Sequence, residues 1–395
     1  TFVRLVGGTE YGVKEPLGNW VSYDKAGEYT VTGAADSFGA TWYVMAECSN
    51  SCASASWVSY SQVVAITPTD AATYTWTGTG SDTLWSNPDN WTCSQPINNG
   101  YPSSSGATAA FLDNASGTVT LDRIYTVGTV KLDKAGYDLV FESTNPDAAN
   151  GGFTTSIAWG GAGTSLVFDS VQITDNSGDN TGYNQKANVT LKMIGKTTFT
   201  HPNKFIFASA DGYFEVGPEA TFKVANDGKP FATGGEGVKI RIDGTIDMGE
   251  GFNLNDYASV EQNGTLTIGG TAPSVTMRNT VVTYATGSQA IVFDIPKTGW
   301  ETAPIRPRDP ANSNLKNFLE GSKCDVTLSI DPQSEIYRKA GTHEITLVDW
   351  TNSKSKKIDQ THLKFADVRH GEWTVSDTQI KVKITNRFGL KIILR

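Results

Sequence analysis

Gly195-Lys196-Thr197-Thr198-Phe199, Glu219-Ala220-Thr221-Phe222-Lys223-Val224, Asp243-Gly244-Thr245-Ile246-Asp247-Met248 and Asn263-Gly264-Thr265-Leu266-Thr267-Ile268 are four versions of one phrase. In each, a small or acidic residue leads into a threonine, after which apolar and polar side chains alternate. Thr197, Thr221, Thr245 and Thr265 lie 24, 24 and 20 residues apart. Alternation with period two marks a half-buried strand. A repeat of roughly 20–30 residues is the length of one solenoid coil. One coil cannot bury its own apolar face, so stacking on its neighbours has to supply the core. Phe, Ile, Leu and Val are therefore expected to point inward, and Thr, Lys, Asp and Glu outward. A further strand is expected ahead of three of the phrases, at 213–216, 238–242 and 258–261.

Outward from this repeat, the chain of 395 residues reads as all-β. No segment keeps a helical period over ten residues; the nearest candidate is 312–319, with Leu315, Phe318 and Leu319. Residues 1–72 read as a small β-sandwich-like domain, with strands at 29–32, 41–45, 57–60 and 63–66. Residues 73–320 read as a parallel β-helix or solenoid with an aromatic N-terminal cap. Residues 321–395 read as a C-terminal β cap of that solenoid, with strands at 326–330, 344–348, 373–375, 380–384 and 390–394.

The cap is expected from Trp76, Gly78, Gly80, Trp85, Asn90 and Trp91, followed by Ala109-Ala110-Phe111, Val119-Thr120-Leu121-Asp122 and Tyr125-Thr126-Val127-Gly128. This run resembles the opening of the autotransporter-type, strand-repeat passenger domains of large bacterial surface proteins, and the resemblance implies a right-handed parallel β-helix. It covers about 70 residues of the 395. Ser105-Gly106-Ala107 stands where that family usually has an acidic residue. Physically, Trp76, Trp85 and Trp91 suit the closing of an apolar solenoid end; a sugar-stacking platform is the alternative.

Composition bounds the function. The net charge of −9 argues against a nucleic-acid partner, and no apolar run approaches the ~20 residues of a membrane span. Hydrophobic content of 38% and aromatic content of 10% exclude disorder. Residues 1–180 hold 18 acidic and 6 basic side chains, whereas residues 181–395 hold 23 and 26. The stretch after Asp377 carries Lys381, Lys383, Arg387, Lys391 and Arg395 and no anion. This asymmetry is either a solvated surface or a basis for head-to-tail attraction between copies. A secreted or cell-surface location is expected. Residues 1–6 already read as a strand, as in a chain whose export leader has been removed.

Cys48 and Cys52 bracket a three-residue loop and are expected to form a local disulfide in an oxidising compartment. Cys93 and Cys324 can pair within the chain, pair between chains, or stay buried. The oxygen-rich stretch Asp175-Asn176-Ser177-Gly178-Asp179-Asn180-Thr181-Gly182 places Asp175 and Asp179 as weak candidate calcium ligands, but it matches no complete calcium loop. Ordinary Asx and Gly turns have the same composition. No cofactor is expected.

The sequence has no nucleophile elbow, phosphate loop, dinucleotide fingerprint or zinc-protease motif. The four histidines, His201, His343, His362 and His370, are scattered. Asp243 with Asp247 and Arg241 with Lys239 are the side chains from which polysaccharide chemistry could be built, or they form an ordinary solvent face. The segment Arg306-Pro307-Arg308-Asp309-Pro310 is expected to be a rigid surface loop, the alternative being a loop that binds an anionic sugar. Both ends are strand-like, through Phe2, Val3, Leu5 and Val6 and through Leu390, Ile392, Ile393 and Leu394. Such strands can pair within the chain or be donated to a neighbouring copy. The sequence therefore leads to a non-enzymatic, extracellular structural subunit of a filament, coat or adhesin. Its expected partners are copies of itself and surface polysaccharide. The alternative is a carbohydrate-active β-helix: a polysaccharide lyase, a glycosidase or a sugar-binding module.

Overall fold

Tyr213-Phe214-Glu215-Val216 shows how each coil is made. Phe214 and Val216 are fully buried, while Tyr213 and Glu215 face outward. Lys192 lies beside both outer groups, 3.5 Å from Glu215 and 5.3 Å from the Tyr213 ring centroid. In the computed structural model, the described residues are 2–5, 14–16, 42–48, 57–61, 72–94, 100–178, 181–226, 231–234, 237–248, 252–254, 264–277, 289–308, 324–351, 358 and 363–386.

Parallel, in-register pairing stacks the coils. On one face, Leu139, Leu166, Leu191, Phe214, Ile240, Leu266, Ile291 and Val326 occupy successive rungs. From Leu166 to Leu266 the steps are 25, 23, 26 and 26 residues. On the second and longest face the inner rungs are Tyr125, Phe153, Ile173, Phe199, Phe222, Ile246, Val275 and Ile305. A third, shorter face is formed by Thr181–Ala187, Phe205–Ala210, Phe231–Gly234 and Phe252–Leu254. All sixteen of these named residues are buried. Aromatic rings continue the stacking between coils: Phe141 on Phe168, Phe199 on Phe222 and Phe205 on Phe231 are stacked at 5.4, 5.4 and 5.7 Å.

The register corrects two details of the repeat. Thr198, not Thr197, aligns with Thr221 and Thr245. Thr265 belongs to another face, opposite Lys239, and the long face continues at Ser274. Both faces alternate Thr with buried aliphatics, so the phrase alone does not distinguish them. The expected strand at 213–216 is present, 238–242 becomes Lys239–Ile242, and 258–261 lies outside the described residues.

Parallel pairing runs past residue 320, through Cys324–Ile330 to Leu363–Phe365. Antiparallel closure comes from Gly341–Asp349, Gln379–Asn386 and Gly371–Val375. A single helical turn, Glu335–Arg338, starts at Ser334, whose Oγ accepts from the Ile336 amide. The sequence reading gave no signal for it, because one turn is too short to display a period. The segment at 312–319 lies outside the described residues.

At the other end, Trp85 is fully buried and donates through Nε1 to the Pro102 carbonyl at 2.8 Å. Trp91 donates to the Trp85 carbonyl at 2.8 Å, and its ring lies 5.0 Å from Trp76 and 4.7 Å from Trp85. With Trp76 5% and Trp91 6% exposed, these three indoles offer no open face to a sugar.

Before the solenoid, Phe2–Leu5 pairs antiparallel with both Lys14–Pro16 and Trp42–Cys48, and Trp42–Cys48 with Trp57–Ser61. The described residues there form one sheet. The strands expected at 29–32 and 63–66 lie outside them.

Candidate functional site

The corner between the first and second faces lengthens over four successive coils in the second half of the solenoid. Two residues separate Lys239–Ile242 from Thr245–Met248, and five separate Gly264–Ile268 from Ser274–Met277. Nine separate Gln289–Ile295 from Ile305–Pro307, and ten separate Cys324–Ile330 from Gly341–Asp349. Two groups of side chains named in the sequence meet on this widening corner.

Asp243 follows Lys239–Ile242 as the first corner residue, and Asp247 lies in Thr245–Met248 on the next face, so the two do not share one face as their spacing suggested. Arg241 bridges two coils: its Nε donates to Asp243 at 2.7 Å and its Nη2 to Asp294 at 3.3 Å. Between them sits Gly269, where a Cβ would stand 2.6 Å from Asp243 Oδ1 and 3.0 Å from Arg241 Nη2. A side chain at this position would have to displace the carboxylate or the guanidinium. The hydrogen bond from Arg241 to Asp243 raises the arginine's pKa further, against the opposing effect of burial. Asp243 is 8% exposed, and its Oδ1 has no donor among the described residues. Asp247, on the long face, pairs with Arg308 at 3.0 Å and accepts from Thr276 at 3.0 Å.

Next to this ion pair, the five-residue and nine-residue corners enclose a concavity of about 350 Å³ lined by Thr271, Thr298, Trp300, Glu301, Thr302 and Arg306. Trp300 is anchored by Nε1 donating to the Gly270 carbonyl at 3.0 Å and by an edge-to-face contact with Phe293 at 6.3 Å. Arg306 donates to the Ala303 carbonyl at 3.1 Å and to Ser274 Oγ at 2.8 Å. Arg306 and Pro307 belong to a strand, not to the loop expected from the sequence. A second concavity, about 630 Å³, lies in the antiparallel closure among Tyr337, Arg369, His370, Glu372 and Lys383. There Lys383 is 3.5 Å from Glu372, and Arg369 lies 5.8 Å from the Tyr337 ring centroid.

Asp175 is fully buried. Its Oδ1 accepts from the Ile157 amide at 3.1 Å, the Ser177 amide at 2.9 Å and Ser177 Oγ. Its Oδ2 accepts from Trp159 Nε1 at 3.2 Å and from His201 Nδ1 at 3.2 Å. Burial alone would raise the Asp175 pKa. The hydrogen bonds from His201 and Ser177, the His201 charge and the Ile157 amide outweigh it and hold the carboxyl below its ordinary value. His201 Nε2 is 3.1 Å from Thr181 Oγ1. The connectivity is that of a nucleophile–base–orienter chain, but His201 and Asp175 are both 0% exposed, and the bonds join successive coils. The network therefore acts as a staple where the third face begins. Asp179 lies outside the described residues, and no cluster of three metal-ligating side chains is found among those described.

The other named residues are placed as follows. Cys48 ends its strand, and Cys52 lies outside the described residues. Cys93 is on the first coil and Cys324 eight rungs along the first face. At ~4.8 Å per coil these two cysteines are on the order of 40 Å apart and cannot pair within one chain. Val6 and Leu390, Ile392, Ile393 and Leu394 lie outside the described residues. Asn90, a glycosylation sequon in sequence, is fully buried and bonded to Gly80, Asp82 and Leu84. No helix among the described residues is long and apolar enough to cross a membrane. Comparison with protein-family models, curated proteins and solved structures finds no match to this chain.

Proposed function

We propose that this chain is an extracellular structural subunit whose solenoid serves as a stiff rod and whose copies join head to tail in a filament, coat or adhesin. The observation that carries this reading is the unbroken apolar ladder from Leu139 to Val326, buried at every rung. A core continuous from coil to coil resists bending and leaves the outer faces free for contacts. The likeness of the Trp76–Trp91 region to autotransporter-type passengers supports a secreted, surface setting. The Cys48–Cys52 staple belongs to the same proposal.

The joint is an exchanged strand. Phe2–Leu5 is hydrogen-bonded on both edges within its own sheet. Donating it to a neighbour would reproduce the same register against Trp42–Cys48 in trans, which is the low-cost route of domain swapping. The acidic first half and the basic tail would steer copies into line. The test is deletion of residues 1–8, followed by size-exclusion chromatography and negative-stain imaging. The intact chain is expected to form linear assemblies, and the deletion variant a monomer with an unchanged unfolding midpoint for the solenoid. A deletion variant that still polymerises, or an intact chain that is monomeric at every concentration, refutes the joint.

A further inference from the structure

We infer that the ledge formed by Thr271, Thr298, Trp300, Glu301, Thr302 and Arg306 is a binding site for a neutral pyranose unit of a saccharide chain. The site is independent of whether copies join. Three features converge on it. The corners that enclose it are five and nine residues long where the preceding coil needs only two, so chain has been added at this place beyond what turning requires. The indole of Trp300 is fixed from behind, with its N–H committed to Gly270 and its edge against Phe293. A rigid, partly exposed indole lining a polar concavity is an amphipathic surface that matches the C–H face of a sugar ring at little cost in side-chain entropy. The groups around it are those that bond sugar hydroxyls: three threonines, an exposed carboxylate at Glu301, and the Arg306 guanidinium, held in place by Ala303 and Ser274.

The charges of the lining offset one another, which suits a ligand without net charge. The lining holds one carboxylate and one guanidinium, and Arg241 beside it is already shared between Asp243 and Asp294. An acidic sugar would gain attraction from Arg306 and meet repulsion from Glu301, so the lining gives it no net electrostatic advantage over a neutral ring. The volume, about 350 Å³, is at the small end of ligand pockets and suits one or two rings of a longer chain.

The test is isothermal calorimetry on the full chain with cellohexaose, maltohexaose and mannohexaose, and with hexagalacturonate as the acidic probe. At least one neutral probe is expected to bind, with hexagalacturonate binding no tighter. Trp300→Ala should weaken the neutral probe at least tenfold and Glu301→Gln severalfold. Thr271→Arg, an exposed change that fills the ledge, should abolish binding. The latter two leave the core untouched, so they decide the matter if Trp300→Ala fails to fold. Absence of binding by all three neutral probes, tighter binding of hexagalacturonate, or wild-type affinity in Thr271→Arg would overturn the site.

Discussion

Replacing Asp175 by Asn keeps the shape of the side chain and removes its charge. Asp175 receives five hydrogen bonds, from the Ile157 and Ser177 amides, Ser177 Oγ, Trp159 Nε1 and His201 Nδ1, all in a site from which water is excluded. An Asn keeps one acceptor oxygen. Its NH2 group then faces either the Trp159 and His201 donors or those of Ile157 and Ser177. At least two buried donors lose their acceptor, at about 1–3 kcal/mol each. The expected loss is therefore about 3–5 kcal/mol, the range for breaking a buried ionic network from one side. With an m-value of about 3 kcal/mol/M, the urea midpoint should fall by more than about 1 M. The pH dependence carries the sign. The folded carboxyl is held below its unfolded value, so its stabilisation is complete above about pH 4 and is lost as pH falls through the folded pKa. The gap between wild type and Asp175→Asn should shrink below pH 4, as the folded carboxyl takes up its proton. Urea melts followed by tryptophan fluorescence across that range measure it. A loss under 1 kcal/mol at pH 7, or a gap that fails to shrink below pH 4, would refute the staple.

Two further outcomes follow from the core and the coil spacing. Phe222 is fully buried among Phe199, Phe205, Phe214 and Phe231, with centroids 5.2–5.6 Å away; Phe222→Ala should cost about 3–5 kcal/mol, seen as a lowered urea midpoint. A Cβ on Gly152 would lie 1.9 Å from the Gln172 carbonyl of the next coil, so Gly152→Ala has to push two coils apart. It should lower stability by more than the ~1 kcal/mol typical of a point mutation, with hydrogen exchange accelerated first in Gly151–Trp159 and Val171–Asp175.

Periodicity in the sequence was enough to determine that this chain is a β-solenoid. The alternation in segments such as Thr221-Phe222-Lys223-Val224 is local chemistry: it assigns each side chain to the inside or outside without knowledge of any neighbour. The aromatic run at Trp76, Trp85 and Trp91 was legible for the same reason, since large rings in a polar frame need a surface to cover. What sequence could not supply was the identity of the facing strand. Thr265 and Thr245 sit in the same phrase on different faces, because burial alternates identically on both. Asp243 and Asp247 look like one surface until the two-residue corner separates them.

The site depended on tertiary structure for a related reason. Arg241 meets Asp294 across 53 residues, and Trp300 meets Gly270 across 30. These contacts exist because coils of unequal length are held in strict register, so that every extra corner residue bulges outward beside the coil before it. The pattern of one coil fixes which side chains face out. Only the stacking of coils decides which of them stand together.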